Sequence, residues 1–482
     1  MKLRITAIAL AIAAALLAGC APAGTQTQDT TATPAPTQTQ TQAPAKEASV
    51  KAGETYRILI WDNYNENDWV LNNRSGRAGE IKKRWEEFQQ QYGINITYIA
   101  SPGETWFNEA CSTAAAMEPM CDIFHAGGPF ALVTAYGYGG GQGSILEPLS
   151  DYPQAGSFSD TEYWNVEAQA NNATFGGKLY FAIPLEVGFG QVAYNQVTFF
   201  NKDLCARAGY EADRLYEMSK NGEWTFDAMR QVAIACNDPD NGVWGLNYGQ
   251  NNCAMFAMVT ANGGAYFEVK DGVPYFDGHS QNTLDAVDYF VKLAKDDKVV
   301  YMEGAPGYDD DHPPFVRGKH ALMLTYANRA EKMYKNKKLS FGILMPPKGP
   351  AAQDYISDSN WFTPYCVMKG TKNPAGCVQV IEEYLRPECG INSSENQEIF
   401  HAECTMYTSD EGSFETLSSV RSKTKSSSLM SWISVATNDS YIGGCFFGSV
   451  QNWIKGEGTP AQHYAAVESA VNETVKNMLG AR

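Results

Sequence analysis

The sequence predicts an α/β fold built from two lobes. Between residues 56 and 124, short apolar runs alternate with amphipathic ones in the order strand, helix, strand, helix, strand. That alternation is typical of parallel strands joined by right-handed crossover helices. Roughly 430 residues follow residues 1–50, more than one hydrophobic core usually contains, so two lobes are expected.

The N-terminus is predicted to be a secretory signal followed by a lipid anchor. Lys2 and Arg4 precede an apolar run over residues 5–17, which is too short to span a bilayer as a helix. The residues Leu-Ala-Gly-Cys that end at Cys20 resemble the lipobox of bacterial lipoproteins. The resemblance implies that residues 1–19 are removed and that Cys20 carries a diacylglyceryl thioether and further acyl chains such as palmitate.

Residues 20–50 are predicted to be a disordered tether. They consist almost entirely of Ala, Pro, Thr and Gln. Such a segment has too little apolar surface to offset the entropy that ordering its backbone would cost. We therefore expect a single folded region over residues 51–482, held away from the membrane by this linker.

The first lobe is predicted to begin with the apolar strand Tyr56–Trp61. A helix is expected over residues 79–92, because Ile81, Trp85 and Phe88 recur at helical spacing. The unit continues with a strand, a helix and a strand, at residues 94–99, 106–117 and 122–124.

The rest of the chain reads as a second α/β unit with helices at the C-terminal end. A β-prone stretch covers residues 178–200, interrupted by Pro184 and Gly188, and two further strands are expected at 321–325 and 341–344. Helical patterns cover residues 203–209, 225–236, 281–296, 376–385 and 460–479. These elements predict an N-lobe over about 54–160 plus a returning segment, a C-lobe over about 200–345, and C-terminal helices over 376–479.

The charge balance argues against nucleic acid as a partner. The formal net charge is −17, whereas nucleic acids and anionic lipid surfaces are bound by clustered Lys and Arg. Motifs for a serine hydrolase, a zinc protease or a phosphate-binding loop are absent from the sequence. No enzyme activity, metal or cofactor is therefore predicted.

The cysteines leave two alternatives open. Eleven are present, and ten remain if Cys20 carries lipid. An even number outside the cytoplasm favours disulfides, and buried free thiols are the alternative. The pairs that would close short loops are Cys111/Cys121, Cys366/Cys377 and Cys389/Cys404.

Five segments, in order, resemble the extracellular solute-binding proteins of ABC importers, in the sugar-binding group related to maltose-binding protein. They are GGKLYFAIPLEVGFGQVAYNQVTFFNKDLCARAGY, GEWTFDAMRQVA, FVRGKHALMLTY, FGILMPPKGP and MKGTKNPAGCVQVIEEYL. The chain departs from the family pattern at Met120-Cys121-Asp122 and at Tyr326-Ala327-Asn328. The second departure lies where relatives contact ligand, so the substrate cannot be transferred from them.

The resemblance implies a two-lobed periplasmic-binding-protein-like fold with hinge strands and a ligand cleft between the lobes. In open α/β sheets, ligands bind beyond the carboxyl ends of the strands. Aromatic rings can cover the apolar face of a sugar, while carboxylates, amides and guanidinium groups pair with its hydroxyls. The predicted ligand-binding residues at such positions are Trp61, Asp62, Asn63, Glu104, Trp106, Glu186, Asn328, Arg329 and Trp361.

The function expected from this resemblance is that of a transport receptor. The protein would be a monomer anchored at the extracellular face of the cell membrane, where it captures a sugar or oligosaccharide and delivers it to an ABC permease. Two alternatives stay open at this point. The same fold could bind a peptide or a polyamine, or the chain could be a lipid-anchored glycoside hydrolase that uses two carboxylates.

Overall fold

The computed structural model describes a set of ranges within the unit that extends from Glu47 to Arg482. The described residues are 48–60, 77–100, 106–125, 135–138, 143–248, 253–270, 273–301, 312–336, 338–359, 362, 364–408, 410–425 and 449–479. Cys20 and the linker residues lie outside these ranges, so their predictions stay predictions.

The strands and helices of the described residues alternate along much of the chain. The strands are β1 (Thr55–Ile60), β2 (Asn95–Ala100), β3 (Ile123–His125), β4 (Leu146–Glu147), β5 (Thr174–Phe175), β6 (Lys178–Leu179), β7 (Gln196–Asn201), β8 (Trp244–Asn247), β9 (Phe267–Lys270), β10 (Val273–Phe276), β11 (Val300–Tyr301), β12 (His320–Tyr326), β13 (Phe341–Leu344), β14 (Ser357–Asp358), β15 (Tyr365–Met368) and β16 (Thr424–Lys425). The α-helices are α1 (Ala78–Tyr92), α2 (Trp106–Ala115), α3 (Val166–Ala168), α4 (Gly190–Ala193), α5 (Lys202–Arg207), α6 (Ala212–Lys220), α7 (Phe226–Cys236), α8 (Cys253–Ala261), α9 (Gln281–Lys295), α10 (His312–Val316), α11 (Arg329–Met333), α12 (Pro374–Gln379), α13 (Ser394–Tyr407), α14 (Glu411–Ser422), α15 (Ser449–Lys455) and α16 (Pro460–Leu479).

The N-lobe is organised around a five-stranded sheet of order β2-β1-β3-β15-β4. β1 is parallel to both β2 and β3, as the strand–helix–strand alternation predicts. β15 returns from late in the chain and pairs antiparallel with β3 and β4. A buried cluster packs on one face of this sheet, and α1 contributes Ile81, Trp85 and Phe88 to it. The helical spacing of these three residues therefore gives the buried face of α1 correctly.

The C-lobe is organised around a second five-stranded sheet, of order β11-β8-β12-β7-β13. β8, β11 and β12 are parallel to one another, whereas β7 is antiparallel to both β12 and β13. Helix α7 lies flat on β8, since a Cβ atom at Gly245 would come 2.2 Å from the carbonyl oxygen of Ala233. This sheet is mixed, and the fold class is confirmed as α/β with two sheets.

The C-terminal helix α16 closes over the β9–β10 hairpin. The Tyr464 ring packs edge-on against Tyr266 and Phe276, and the side chain of Asn472 accepts a 2.7 Å hydrogen bond from the backbone of Phe276. A helix was predicted over residues 460–479, and the structure has it over the same residues. Among the described residues, no helix is both long and apolar enough to cross a membrane.

The described cysteines are free thiols, and all are buried. They are Cys111, Cys121, Cys205, Cys236, Cys253, Cys366, Cys377, Cys389 and Cys404. Of the two alternatives that the sequence leaves open, the structure therefore has buried free thiols in this part of the chain. The short-loop disulfides Cys111/Cys121, Cys366/Cys377 and Cys389/Cys404 are not formed in it.

Candidate ligand-binding site

The parallel strands of the N-lobe sheet end at the same edge of the sheet. Because β1, β2 and β3 run parallel, their last residues, Ile60, Ala100 and His125, lie on the same side of the sheet. β15 begins at that edge, with Tyr365 paired to His125. In an open α/β sheet this carboxyl edge is where ligands bind.

The C-lobe sheet has an equivalent edge. β8, β11 and β12 end there at Asn247, Tyr301 and Tyr326. The antiparallel strand β7 starts there, because Gln196 is paired with Tyr326.

One segment that crosses between the lobes, residues 182–196, connects the two edges. It leaves the N-lobe at Ala182, whose backbone exchanges two 2.9 Å hydrogen bonds with Tyr365, the residue next to the end of β3. It enters the C-lobe at Gln196, opposite the end of β12. The carboxyl edges of both sheets therefore face the same crossing, which is the geometry of a ligand cleft between two hinged lobes.

The C-lobe edge carries buried polar atoms whose hydrogen-bonding capacity is not used by the described residues. They are Asn195 Oδ1, Gln196 Oε1, Asn247 Nδ2 and Tyr248 Oη. All four side chains are buried, and such groups normally have a partner because an unpaired one costs free energy. The other ends of the amides are used: Asn247 Oδ1 accepts from the Leu324 amide at 2.8 Å, and Asn195 Nδ2 donates to Ser357 and Thr424.

These atoms form what we call the polar edge: Asn195, Gln196, Asn247 and Tyr248. The amide ends that are used hold the side chains in place, and the remaining atoms offer both acceptors and donors. A polyhydroxylated ligand needs this mixture, because each hydroxyl both donates and accepts.

The carboxyl edge of the N-lobe sheet carries a buried histidine. His125 is fully buried at the end of β3, and its ring lies 4.6 Å from the Tyr365 ring. Burial lowers the pKa of His125 to about 3, because the charged form would lose its solvation. His125 is therefore uncharged at neutral pH.

Helix α13 packs against the crossing segment and binds it through side chains. The Gly188 amide donates to Asn396 Oδ1 at 2.8 Å, and the Phe189 amide donates to Glu403 Oε2 at 2.7 Å. The Phe189 ring packs edge-on against Tyr407 of the same helix. Three side chains of α13 thus position the crossing segment, two through its backbone amides and one through the Phe189 ring.

Three of the predicted ligand-binding residues are described in full. Glu186 is half-buried on the crossing segment, between the N-lobe pairing and the α13 contacts. Asn328 is the second residue after β12, and its backbone amide donates to the Ala193 carbonyl at 2.8 Å. Arg329 begins α11, is 1 % exposed, and donates from Nη1 to Asn328 Oδ1 at 3.2 Å. Glu186 therefore lies on the crossing segment itself, and Asn328 and Arg329 lie next to each other against its C-lobe end at Ala193.

The other predicted ligand-binding residues cannot be placed in the same way. Trp61, Asp62, Asn63, Glu104 and Trp361 lie outside the described residues. Trp106 is the first residue of α2, and only its backbone position is described. Each of these residues stays a prediction.

Sequence reasoning missed the polar edge. Asn195 and Gln196 were included in a β-prone stretch without a role, and Asn247 is the last residue of β8, a strand that was not predicted. A usable signal was present, because a Tyr-Asn-Gln sequence breaks an otherwise apolar run directly before Val197. Consecutive amides at the start of a buried strand need partners, and this need marks them as candidates.

A separate open cavity of about 700 Å³ lies on the C-lobe. It is bounded by α6, α14 and the segment 348–355, and none of the predicted ligand-binding residues lines it. Within the described residues, no group of three or more His, Cys, Asp and Glu side chains is arranged to hold a metal ion.

Comparison with known proteins gives a family and a fold. Three similar structures are an ABC substrate-binding protein, Lmo0181 from Listeria monocytogenes, in complex with cycloalternan (18 % identity, TM-score 0.57, 88 % of this chain and 99 % of that one), the GacH receptor of Streptomyces glaucescens, solved unliganded and with acarbose (16 %, 0.58, 88 % and 98 %), and the cyclic alpha-maltosyl-1,6-maltose binding protein from Arthrobacter globiformis (14 %, 0.60, 88 % and 100 %). These likenesses show the fold alone. No curated protein sequence matches the chain. Residues 75–388 match the family description "Bacterial extracellular solute-binding protein", and the chain belongs to that family.

Proposed function

We propose that this protein is the substrate receptor of an ABC importer and that it captures an extracellular sugar or oligosaccharide for a membrane permease. One observation carries the proposal: the carboxyl edges of two α/β sheets face a shared crossing segment, and the C-lobe edge carries buried, unused hydrogen-bonding atoms. A cleft of this kind binds a solute between the lobes, and the known family fits that role.

A carbohydrate suits the polar edge better than a charged solute does. Gln196, Asn247 and Tyr248 supply uncharged donors and acceptors, which match hydroxyl groups. The three similar proteins named above bind or were solved with cycloalternan, acarbose and cyclic alpha-maltosyl-1,6-maltose, all of which are oligosaccharides. Trp61, Trp106 and Trp361 are proposed to stack on the sugar rings, and Asp62, Asn63, Glu104, Glu186, Asn328 and Arg329 to pair with hydroxyls.

Closure follows from ligand contacts made to both lobes at once. A ligand shifts a two-state equilibrium only by its difference in affinity for the two states. A sugar that bridges the N-lobe edge and the polar edge has all of its contacts only in the closed state. The crossing segment 182–196 serves as a hinge strand, and the protein makes no covalent change to its ligand.

The membrane anchor supports the same function. The signal-like residues 1–19, the lipobox at Cys20 and the linker to residue 50 would place a monomeric receptor on the extracellular face of the cell membrane. Two or more acyl chains give stable anchoring, whereas one gives only marginal binding. Tethering would keep the loaded receptor close to its permease.

The test is thermal melting of residues 46–482 against sugars, oligosaccharides, peptides and polyamines, with chromatography of each sugar afterwards. A ligand at a hundred times its Kd adds about 2.7 kcal/mol, which raises the Tm by a few degrees. A rise with one class of oligosaccharide that is recovered intact supports the proposal. A rise only with peptides or polyamines contradicts the ligand class, and cleavage of the sugar contradicts the receptor function.

A further inference from the structure

The C-lobe contains two cysteine side chains that meet between helices. Cys205 lies on α5, which follows β7, and Cys236 is the last residue of α7, which precedes β8. The two thiols are within hydrogen-bonding contact of each other. Cys236 Sγ also donates to the carbonyl oxygen of Leu204 at 3.8 Å, so it lies against the backbone beside Cys205.

The two helices that carry these thiols are held in place independently. Asn201 caps α5 by accepting from the Leu204 amide at 3.0 Å, and Thr225 caps α7 by accepting from the Ala228 amide at 3.3 Å. Helix α7 also lies directly on β8 through the Gly245 contact. The pair is therefore a feature of a rigid part of the C-lobe, and the thiols are kept together.

The thiols differ in both exposure and acidity. Cys205 is completely buried, whereas Cys236 is 8 % exposed at the end of its helix. The hydrogen bond from Cys205 lowers the pKa of Cys236, with a smaller contribution from the positive charge of Arg207. The same contact and burial raise the pKa of Cys205. Cys236 is the nucleophile of the pair, because a peroxide in solution reaches the partly exposed thiol and not the fully buried one.

We propose that Cys205 and Cys236 are a modification site, at which a small extracellular peroxide converts two adjacent thiols into a disulfide that joins α5 to α7. The Cys236 thiolate attacks one peroxide oxygen, the O–O bond breaks, and hydroxide leaves, so that Cys236 becomes a sulfenic acid. Cys205 Sγ then attacks the Cys236 sulfur, the S–O bond breaks, and water leaves with the Cys205 proton. The peroxide is reduced, and the two thiols are oxidised to one disulfide.

The consequence is a covalent link within the lobe that carries the polar edge. The disulfide would close a loop that contains α6, and closing a loop of about 30 residues limits the unfolded chain and raises the unfolding temperature. Because family membership places the chain outside the cell, oxidants reach it without the reducing systems of the cytoplasm.

The experiment treats the full-length chain, in detergent, with hydrogen peroxide at a small molar excess. The protein is then denatured without reductant, free thiols are alkylated, and the intact mass and a peptide map are measured. The expected result is a loss of two alkylated thiols, a cross-linked peptide pair containing residues 205 and 236, and a Tm rise of a few degrees. Reductant should reverse all three changes.

The matched variants are Cys205→Ala, Cys236→Ala and Cys366→Ala. Each of the first two should abolish the cross-link, and Cys205→Ala should leave Cys236 as a sulfenic acid that a dimedone probe captures. Cys366→Ala should lose two thiols as the unmodified chain does, because burial raises the pKa of Cys366 well above its ordinary value.

Three results would overturn the proposal. These are full alkylation of both thiols after treatment, over-oxidation of Cys236 with Cys205 still a thiol, or an unchanged two-thiol loss in Cys205→Ala. The peptide map of the unmodified chain decides the matter even if a variant does not fold.

Discussion

The guanidinium of Arg77 lies 3.7 Å from the carboxylate of Glu403, although the two residues are far apart in sequence. Arg77 directly precedes α1 at the carboxyl edge of the N-lobe sheet, and it also pairs with Glu388. Glu403 belongs to α13 and accepts the Phe189 amide with its other oxygen. One largely buried carboxylate therefore connects the N-lobe, the crossing segment and α13.

Replacing Glu403 should destabilise the folded protein. Glu403→Ala leaves the Phe189 amide and the Arg77 guanidinium without this partner in a buried place, at a cost of about 3 kcal/mol. Glu403→Gln keeps an acceptor for Phe189 and should cost less. Urea unfolding at neutral pH measures both. The control is Glu398→Gln, an exposed position on the same helix, expected to change stability by less than about 0.5 kcal/mol. Equal stability of all three variants would exclude the connecting role of Glu403.

Glu331 should make stability depend on pH. Partial loss of solvation and, to a smaller extent, the negative charge of Glu403 raise the pKa of Glu331 to about 7, from an ordinary value of 4.5. The folded state holds this proton more tightly than the unfolded state does. The protonated Glu331 therefore contributes fully to the free energy of unfolding below about pH 4.5, and this contribution is lost as the pH rises through about 7. Solvent reaches the Glu331 side chain, so screening makes the effect smaller than that of a buried pair.

The measurement compares Glu331→Gln with the unmodified chain in urea between pH 4.5 and 8.5. We expect the variant to gain relative stability as the pH rises from about 4.5 through 7 and to reach a plateau above. In a Glu403→Gln background the same substitution should show a weaker pH dependence, since the like charge is gone. A difference that does not vary with pH would contradict this assignment.

Gly188 should be required as glycine on the crossing segment. Its φ is +63°, and a Cβ atom there would lie 2.3 Å from Glu403 Oε2. Gly188→Ala therefore adds left-handed strain of about 1–2 kcal/mol and also displaces the Glu403 contact. Gly176→Ala is the matched control, because Gly176 has a φ of +57° and no atom within 4 Å of the added Cβ.

We expect Gly188→Ala to lose more stability than Gly176→Ala in urea unfolding. It should also weaken ligand binding, because the hinge would be repositioned, whereas Gly176→Ala should bind normally. If Gly188→Ala and Gly176→Ala lose the same free energy of unfolding, the close approach of Glu403 to residue 188 does not contribute to stability.

The sequence predicts a helix well when its buried residues recur at helical spacing and poorly when all of its residues are buried. α1 shows one apolar face, and its predicted start at residue 79 is one residue from the observed start. Every residue of α8 is buried, among them Met255, Phe256 and Val259, so the helix has no polar face to reveal its period. It was missed for that reason.

The crossing segment illustrates a second limit. The stretch 178–200 is β-prone throughout, but only residues 178–179 and 196–200 within it belong to named strands. Between them, Gly188 and the contacts from α13 redirect the chain, and α13 lies some 200 residues later in the sequence. Tertiary partners of this kind override local propensity. The residues that hold the crossing segment, such as Glu403, cannot be identified from local sequence for the same reason.

The lipid anchor should depend on Cys20. If the lipobox is read as proposed, Cys20→Ala removes the thioether, and the folded protein should no longer partition with membranes. Fractionation of cells into medium, cytosol and membrane, followed by immunoblotting, measures this. Cys111→Ala is the control and should stay with the membrane fraction, because Cys111 is buried in the fold. Retention of the Cys20 variant in membranes would contradict lipidation at this residue.

Gln196 and Gln169 should respond in opposite ways to the same substitution. Both side chains are buried, but Gln169 uses both ends, donating to Phe158 O at 2.8 Å and accepting from the Ile183 amide at 3.0 Å. Gln196 Oε1 has no partner among the described residues, and its amide nitrogen makes only a 3.8 Å contact with Cys253 Sγ. A satisfied glutamine stabilises the empty protein, whereas an unsatisfied one at the cleft is kept for a ligand.

Gln169→Met should therefore cost about 2 kcal/mol or more of stability, because two buried backbone groups lose their partners. Gln196→Met should leave the stability of the empty protein unchanged or slightly raised, yet weaken sugar binding about tenfold through the lost hydrogen bond. Urea unfolding and calorimetric titration with the sugar found by melting give the two quantities separately. If Gln196→Met binds the sugar with unchanged affinity, Gln196 does not contact the ligand and the polar edge is not part of the binding site. A loss of stability without a loss of affinity would show that Gln196 only packs in the folded protein.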